Sequence, residues 1–508
     1  MKLLNAFFIC AAAVSATATD LDTIGVSLLR QVDPTLNGSG VRVAQVENLD
    51  PFTPNSAYAF EVNPVSVGHP TSLFTWISVS NPAAITFPNT AGTESWHANS
   101  VGGNFYGFSN GVATNVAHVY NYEVNYFVNT YIYPNTHPTI PARIVNQSFT
   151  YGTNLPSVDQ DYDDYASKNN TIILSGAGFN GLPIYTPATC YNGLGVSVYG
   201  PSQPPYGPTP DGRCKPDITA PGSGATSFST PYVGGAAAVL LQAGTNSVAT
   251  NIITVKALLL NGAIKPDDWT NGPAKPLDAR YGAGIVNVFN SWKQLKGGKR
   301  VFIESTTVTS GNPHPPGPNT GNVAAWAGWD HNTLSASPSQ DTANHYYFNL
   351  TNNSPGTFTA TLVWNRQNGA SAINNLDLFL YNTSNGSLVL SSTSGVDNVE
   401  HLYLPKLVPG RYDLQVLKRG TAGQVSTPET YALAFEFFCV NLKIARTNGN
   451  ALLSWTNSPT GFRLVSTETL NPPAAWATVG AAVSMTNGQN AALVPLAGTN
   501  QFFRLQRP

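Results

Sequence analysis

Residues 221–243 read PGSGATSFSTPYVGGAAAVLLQA and place three hydroxyls, Thr226, Ser227 and Ser229, just ahead of a run of small and apolar residues. Pro231 and the Gly, Ala and Leu residues after it predict a helix that begins at this cluster. The first turn of a helix has amide groups without carbonyl partners and the positive end of the peptide dipole, so it stabilises negative charge on a neighbouring hydroxyl. That is one ingredient of nucleophilic catalysis. The same hydroxyls also suit plain helix capping, a common use of Ser and Thr at such places.

The segments around this helix predict a mostly parallel sheet. LNGSGVRVAQVE (36–47) reads as a turn and a short apolar strand ending at Glu47, and HANSVGGNFYG opens a small-residue helix at His97. GVATNVAHVYNYE (111–123) and PARIVNQSFTYG (141–152) read as further strands, and VDQDYDDYASKNN (158–170) as a helix with acids early and Lys168 late. NTIILSGAGFNG (170–181) is a buried strand running into a glycine turn. Strands alternating with helices indicate a sheet covered on both faces. From about Val301 the texture changes to YYFNL, FTATLVW, LDLFLYN, SLVLSST, HLYLPKL, RYDLQVL and YALAFEF, short alternating segments between Gly, Asn, Ser and Pro. These predict an antiparallel β-sandwich at 299–440, followed by a small β-rich module at 441–508.

At 508 residues the chain is too long for one ordinary domain. Only 10% of residues are charged and the formal net charge is −2, which leaves no basic stripe for a nucleic-acid backbone. MKLLNAFFICAAAVSATATD has one positive charge at Lys2, an apolar run to Val14 and small residues to Ala18, so residues 1–18 are expected to be a signal peptide and the mature chain secreted. No later run has the length of a membrane span, and a monomer is the expected state.

With these elements in place, ATSFSTPYVGG (225–235) resembles the nucleophile segment of subtilisin-like serine proteases, the subtilase family, with Ala225 where the family has Gly. HANSVGG (97–103), VNQS (145–148) and LSGAGFNG (174–181) resemble the family's histidine helix, cleft strand and oxyanion turn, in the family's order. The resemblance spans about residues 25–295. It implies a subtilisin-like catalytic domain over 19–298 and hydrolysis of peptide bonds, with Ser227 as nucleophile and His97 as general base. A serine hydroxyl is too weak an acid to attack an amide unaided, so the imidazole takes its proton and an acid orients the imidazole. The family has Asp at the end of the first strand; this chain has Glu47 there, and Asp50, three residues on, is the competing acid.

The resemblance further implies that the Ser227 amide and an Asn side chain bind the oxyanion. Asn180 is the candidate, displaced one position by Phe179, and an ordinary turn role is its alternative. Ser148, Phe149 and Tyr151 fall where an extended peptide substrate pairs with the cleft edge. His97 stands where the related serine-carboxyl peptidases have Glu, and Glu94 has no acidic partner at Ala98, so Glu94 reads as a surface acid. Residues 301–440 resemble the jelly-roll domain of convertase-type subtilases. Asp377 alone does not define a Ca²⁺ site, and no cofactor is required for the chemistry. Export permits a disulfide, expected between Cys190 and Cys214, with Cys439 left over. The alternative function is a catalytically impaired peptide-binding or structural protein on the same scaffold.

Overall fold

The computed structural model describes residues 19–49, 58–245, 247–351, 356–420, 425–438, 442–456, 462–470, 475–486, 489–496 and 501–506. Residues 1–18, expected to be a signal peptide, Asp50 and Cys439 lie outside them.

Nine strands come first: β1 Arg42–Glu47, β2 Ala59–Glu61, β3 Phe74–Ile77, β4 Thr93–Glu94, β5 His118–Glu123, β6 Ile144–Gln147, β7 Ile172–Gly176, β8 Leu194–Val198 and β9 Ile218–Ala220. Among the described residues eight α-helices accompany them: α1 Asp20–Thr23, α2 Val26–Val32, α3 Trp96–Phe105, α4 Val124–Phe127, α5 Pro156–Asn169, α6 Thr226–Ala243, α7 Ile252–Asn261 and α8 Val288–Lys296. Seven strands form one parallel sheet in the order β3-β5-β1-β6-β7-β8-β9. β1 lies near its middle, so every residue after Arg42 is buried, as a strand covered on both faces requires. The C-terminal ends of β1, β6 and β7 come side by side, and open α/β sheets place their sites at that edge.

Helix α6 packs against β6, β7 and β8. Its glycines allow close packing: a Cβ at Gly235 would lie 2.4 Å from Val112 Cβ and one at Gly234 3.2 Å from the Phe105 ring. α6 packs against α3, and at its first turn Asn104 Nδ2 donates to the Phe228 carbonyl at 3.0 Å.

Two antiparallel sheets follow. Glu304–Thr309, Gln340–Leu350, Gly410–Lys418, Leu376–Asn382 and Leu388–Ser392 make a five-stranded sheet; Ala327–Ser335, Pro428–Phe438, Gly356–Trp364 and Val399–Leu407 make a four-stranded one. Their inner faces enclose a separate core that includes Phe348, Trp364, Leu378, Leu414 and Phe435, as expected of a sandwich. Two small sheets between Lys443 and Gln506 enclose Leu453, Trp455 and Leu464.

The expected Cys190–Cys214 disulfide is absent: both cysteines are free and buried. They face different surroundings. The Cys190 sulfur lies where a side chain at Gly193 would meet it, at 2.5 Å from that Cβ position. The Cys214 thiol lies beside Leu277, Asp397 and Glu400, at the seam with the sandwich. Sequence spacing permitted the bridge but did not fix which way the thiols turn. Burial pushes both thiols up to about 12. Among the described residues no helix is long and apolar enough to cross a membrane.

Candidate active site

β1 delivers Glu47 to the sheet edge, where it is 1% exposed. Ser95 caps α3 by accepting from the Ala98 amide at 3.2 Å, which sets His97 in the first turn with its imidazole toward β1. His97 Nδ1 and Glu47 Oε2 are 2.8 Å apart. A carboxylate only accepts, so Nδ1–H is the donor, and in the neutral imidazole the lone pair is then on Nε2. The added methylene of glutamate is thus accommodated without loss of contact.

Glu47 is held from its other side. Gln45 Nε2 donates to Glu47 Oε1 at 2.8 Å and to the Ala98 carbonyl at 2.9 Å. Gln45 Oε1 accepts from the Tyr106 hydroxyl at 2.6 Å. Sequence reading missed Gln45 and Tyr106. The available signal was a lone amide inside the apolar run of β1, two residues before Glu47 and so on the same strand face.

Ser227 is the second residue of α6, and the cap position is Ala225, which makes no side-chain capping bond. The capping alternative therefore does not describe these hydroxyls. Thr226 Oγ1 donates to the Gly178 carbonyl at 2.8 Å, Ser229 Oγ to the Ala220 carbonyl at 3.0 Å and Thr230 Oγ1 to the Thr226 carbonyl at 2.8 Å. Ser227 Oγ instead donates to the Ser148 carbonyl at 3.3 Å, while Ser148 Oγ donates to the Ser227 carbonyl at 2.9 Å. This reciprocal pair ties the end of β6 to the start of α6.

Beyond β7, Gly178 takes φ +120°, a conformation that L side chains rarely adopt. The turn brings Asn180 over the serine loop, where its Nδ2 donates to the Gly224 carbonyl at 2.8 Å. Asn180, Ser227, His97, Ser148 and Phe149 line one cleft of about 410 Å³. Tyr151 is not among its lining residues; its hydroxyl lies 3.3 Å from that of Tyr133. Half-exposed Trp96 and Phe228 flank the imidazole, with ring centroids 5.9 and 5.8 Å from it.

Glu94 is exposed and bonded by Asn99 Nδ2 at 2.7 Å and Asn63 Nδ2 at 3.0 Å. Asp377 sits apart in the sandwich, where burial raises it to about 6 even though Arg419 Nε donates to it at 2.5 Å. Among the described residues no group of three or more His, Cys, Asp or Glu side chains is arranged to hold a metal ion.

Residues 78–284 match the subtilase family, peptidase S8, so a subtilase domain is present there. His97, Asn180 and Ser227 fall within the matched residues and Glu47 precedes them. Pyrolysin of Pyrococcus furiosus is 34% identical over 109 residues, which is 18% of this chain. The matched stretch spans only 8% of pyrolysin's length. The crystal structure of tripeptidyl peptidase 2 aligns over 82% of this chain and 52% of its own, with a TM-score of 0.32 and 11% identity. A likeness at that level carries no argument about this chain.

Proposed function

We propose that the chain is a serine endopeptidase acting on peptide or protein substrates through an acyl-enzyme on Ser227. The observation that supports it most is the 2.8 Å contact between His97 Nδ1 and buried Glu47, in a cleft shared with Ser227. Glu47 holds the imidazole in the tautomer whose Nε2 accepts the Ser227 proton, and it stabilises the imidazolium that forms. The Ser227 hydroxyl must first leave the Ser148 carbonyl, a rearrangement consistent with catalytic bonds that tighten only with substrate bound. Attack on the scissile carbonyl gives an oxyanion, which the Ser227 amide at the helix start and Asn180 Nδ2 stabilise. His97 then returns the proton to the leaving amine. Water, activated by the same imidazole, hydrolyses the acyl-enzyme. Extended substrate pairs along 148–150, which line the cleft and are tied to Ser227 through Ser148.

One observation favours the impaired alternative: Ser227 Oγ is engaged by the Ser148 carbonyl. Hydrolysis of a peptide substrate by wild type and Ser227→Ala separates the two readings. The endopeptidase reading expects cleavage by wild type and loss of it in the folded variant. No cleavage by wild type, or equal cleavage by both, contradicts it.

A further inference from the structure

A glutamate side chain has one more rotatable bond than aspartate, so its carboxylate must be held if the distance to an imidazole is to stay fixed. In this chain the holding group is an amide. Gln45 and Glu47 share one face of β1, so the amide lies alongside the carboxylate, with Nε2 at 2.8 Å from Oε1. We propose that Gln45, itself fixed by Tyr106, is the positioning residue that sets the Glu47 carboxylate against His97. This rests on the roles given above to Glu47 and His97.

The orientation of the Gln45 amide is over-determined. Both neighbours of Nε2, the Glu47 carboxylate and the Ala98 carbonyl, can only accept, while the Tyr106 hydroxyl has a proton to give to Oε1. A flipped amide would set its oxygen against two acceptors and its hydrogens against a donor. All these groups are shielded from water: Gln45, Ala98 and Tyr106 are 0% exposed. In that setting a mismatched bond leaves buried polar groups without partners. Ala98 follows His97, so one side chain grips both the acid and the helical turn that carries the base.

The histidine helix makes room for this arrangement. A Cβ at Gly102 would lie 2.7 Å from the Tyr106 hydroxyl oxygen and 3.3 Å from Gln45 Oε1. Burial, with the Glu47 charge nearby, pushes the Tyr106 phenol well up, so the hydroxyl keeps its proton.

The test is a double-mutant cycle between Gln45→Met, which keeps length but removes the amide, and Glu47→Gln, read as kcat and KM on one peptide. Gln45→Met alone is expected to lower kcat roughly 10- to 100-fold with little change in KM, because misplacement of a catalytic group by about 1 Å costs that much. The acid limb of its kcat/KM profile moves to lower pH, since a misplaced carboxylate stabilises the imidazolium less. In the Glu47→Gln background Gln45→Met is expected to cost nothing further, as it acts only through the carboxylate. Losses that multiply, or an acid limb that stays put or rises, overturn the proposal. If Gln45→Met does not fold, Tyr106→Phe takes its place, with a several-fold loss and the same non-additivity expected. Wild-type turnover in Glu47→Gln defeats the role of Glu47 and this inference with it. Wild-type turnover in Gln45→Met and Tyr106→Phe alone defeats only the inference.

Discussion

Glu47 and Glu61 are both buried carboxylates, and their surroundings set them different tasks. Glu47 meets an imidazole and an amide. Glu61, on β2, is 0% exposed. Burial raises it to about 7, offset only in part by Asn89 and the backbone at Gly92. The folded protein therefore holds this proton more tightly than the unfolded chain does. Stability falls as pH rises from the ordinary carboxylate range through about 7. Glu61→Gln removes the titration, so its melting temperature relative to wild type is expected to be higher at pH 8 than at pH 5. Thermal unfolding at both values checks this; an equal difference at the two contradicts it. That His97 and Ser227 would come together in one cleft was legible because each belongs to an ordered motif. Gln45 and Tyr106 escaped because their partnership forms only when β1 and α3 come together.

At the scale of elements, the site depends on how closely α3 approaches α6. The glycines 234 and 235 were legible as a small-residue helix, but what they accommodate was not, since Val112 and Phe105 lie far away in sequence. Gly235→Ala would set its Cβ 2.4 Å from Val112 Cβ, with backbone at Phe105 O only 3.1 Å away. Overpacking of this kind costs roughly 1–3 kcal/mol. Gly103 is the contrast, a helical glycine with nothing within 4 Å of its Cβ position. Gly103→Ala is expected to stabilise by about 0.5–1 kcal/mol through helix propensity. Urea unfolding of the two variants should move in opposite directions, and destabilisation by both would show that α3 tolerates less than its surroundings suggest. β1, β6, β7 and α6 followed from apolar runs and helix signals. β3, β8 and β9 did not stand out from the Pro-, Gly- and Asn-rich loops around them.

Across the whole molecule, the sandwich is joined to the parallel-sheet unit by buried polar contacts. Arg366 pairs with Asp163 of α5 at 2.7 Å, with side chains 7% and 0% exposed. Its backbone amide donates to Asn192 Oδ1 at 2.8 Å, and Asn192 Nδ2 donates back to its carbonyl at 2.9 Å. Thr359 and Thr361 both donate to Asn261 Oδ1 of α7, at 2.9 and 3.0 Å. None of this was legible, because a sequence with few charges shows where they lie along the chain and not which meet across a seam. The same seam places Asp397 Oδ1 2.7 Å from the Cys214 amide nitrogen, one of the contacts that direct this segment toward the sandwich. Arg366→Ala leaves the buried Asp163 carboxyl without its cationic partner, a loss of about 3–5 kcal/mol. Calorimetry of the full chain checks this; an unchanged melting temperature would mean that the seam does not depend on the pair.

If the proposed function holds, Glu47, His97 and Ser227 act as one unit. Fluorophosphonate labelling, mapped to the modified residue in wild type, His97→Ala, Glu47→Gln and Asp50→Asn, tests it most directly. Modification of Ser227 is expected in wild type and Asp50→Asn at similar rates, with none detectable in His97→Ala and a rate lowered roughly a hundredfold or more in Glu47→Gln. Normal labelling of Glu47→Gln together with its collapse in Asp50→Asn would contradict the account and give the orienting role to Asp50.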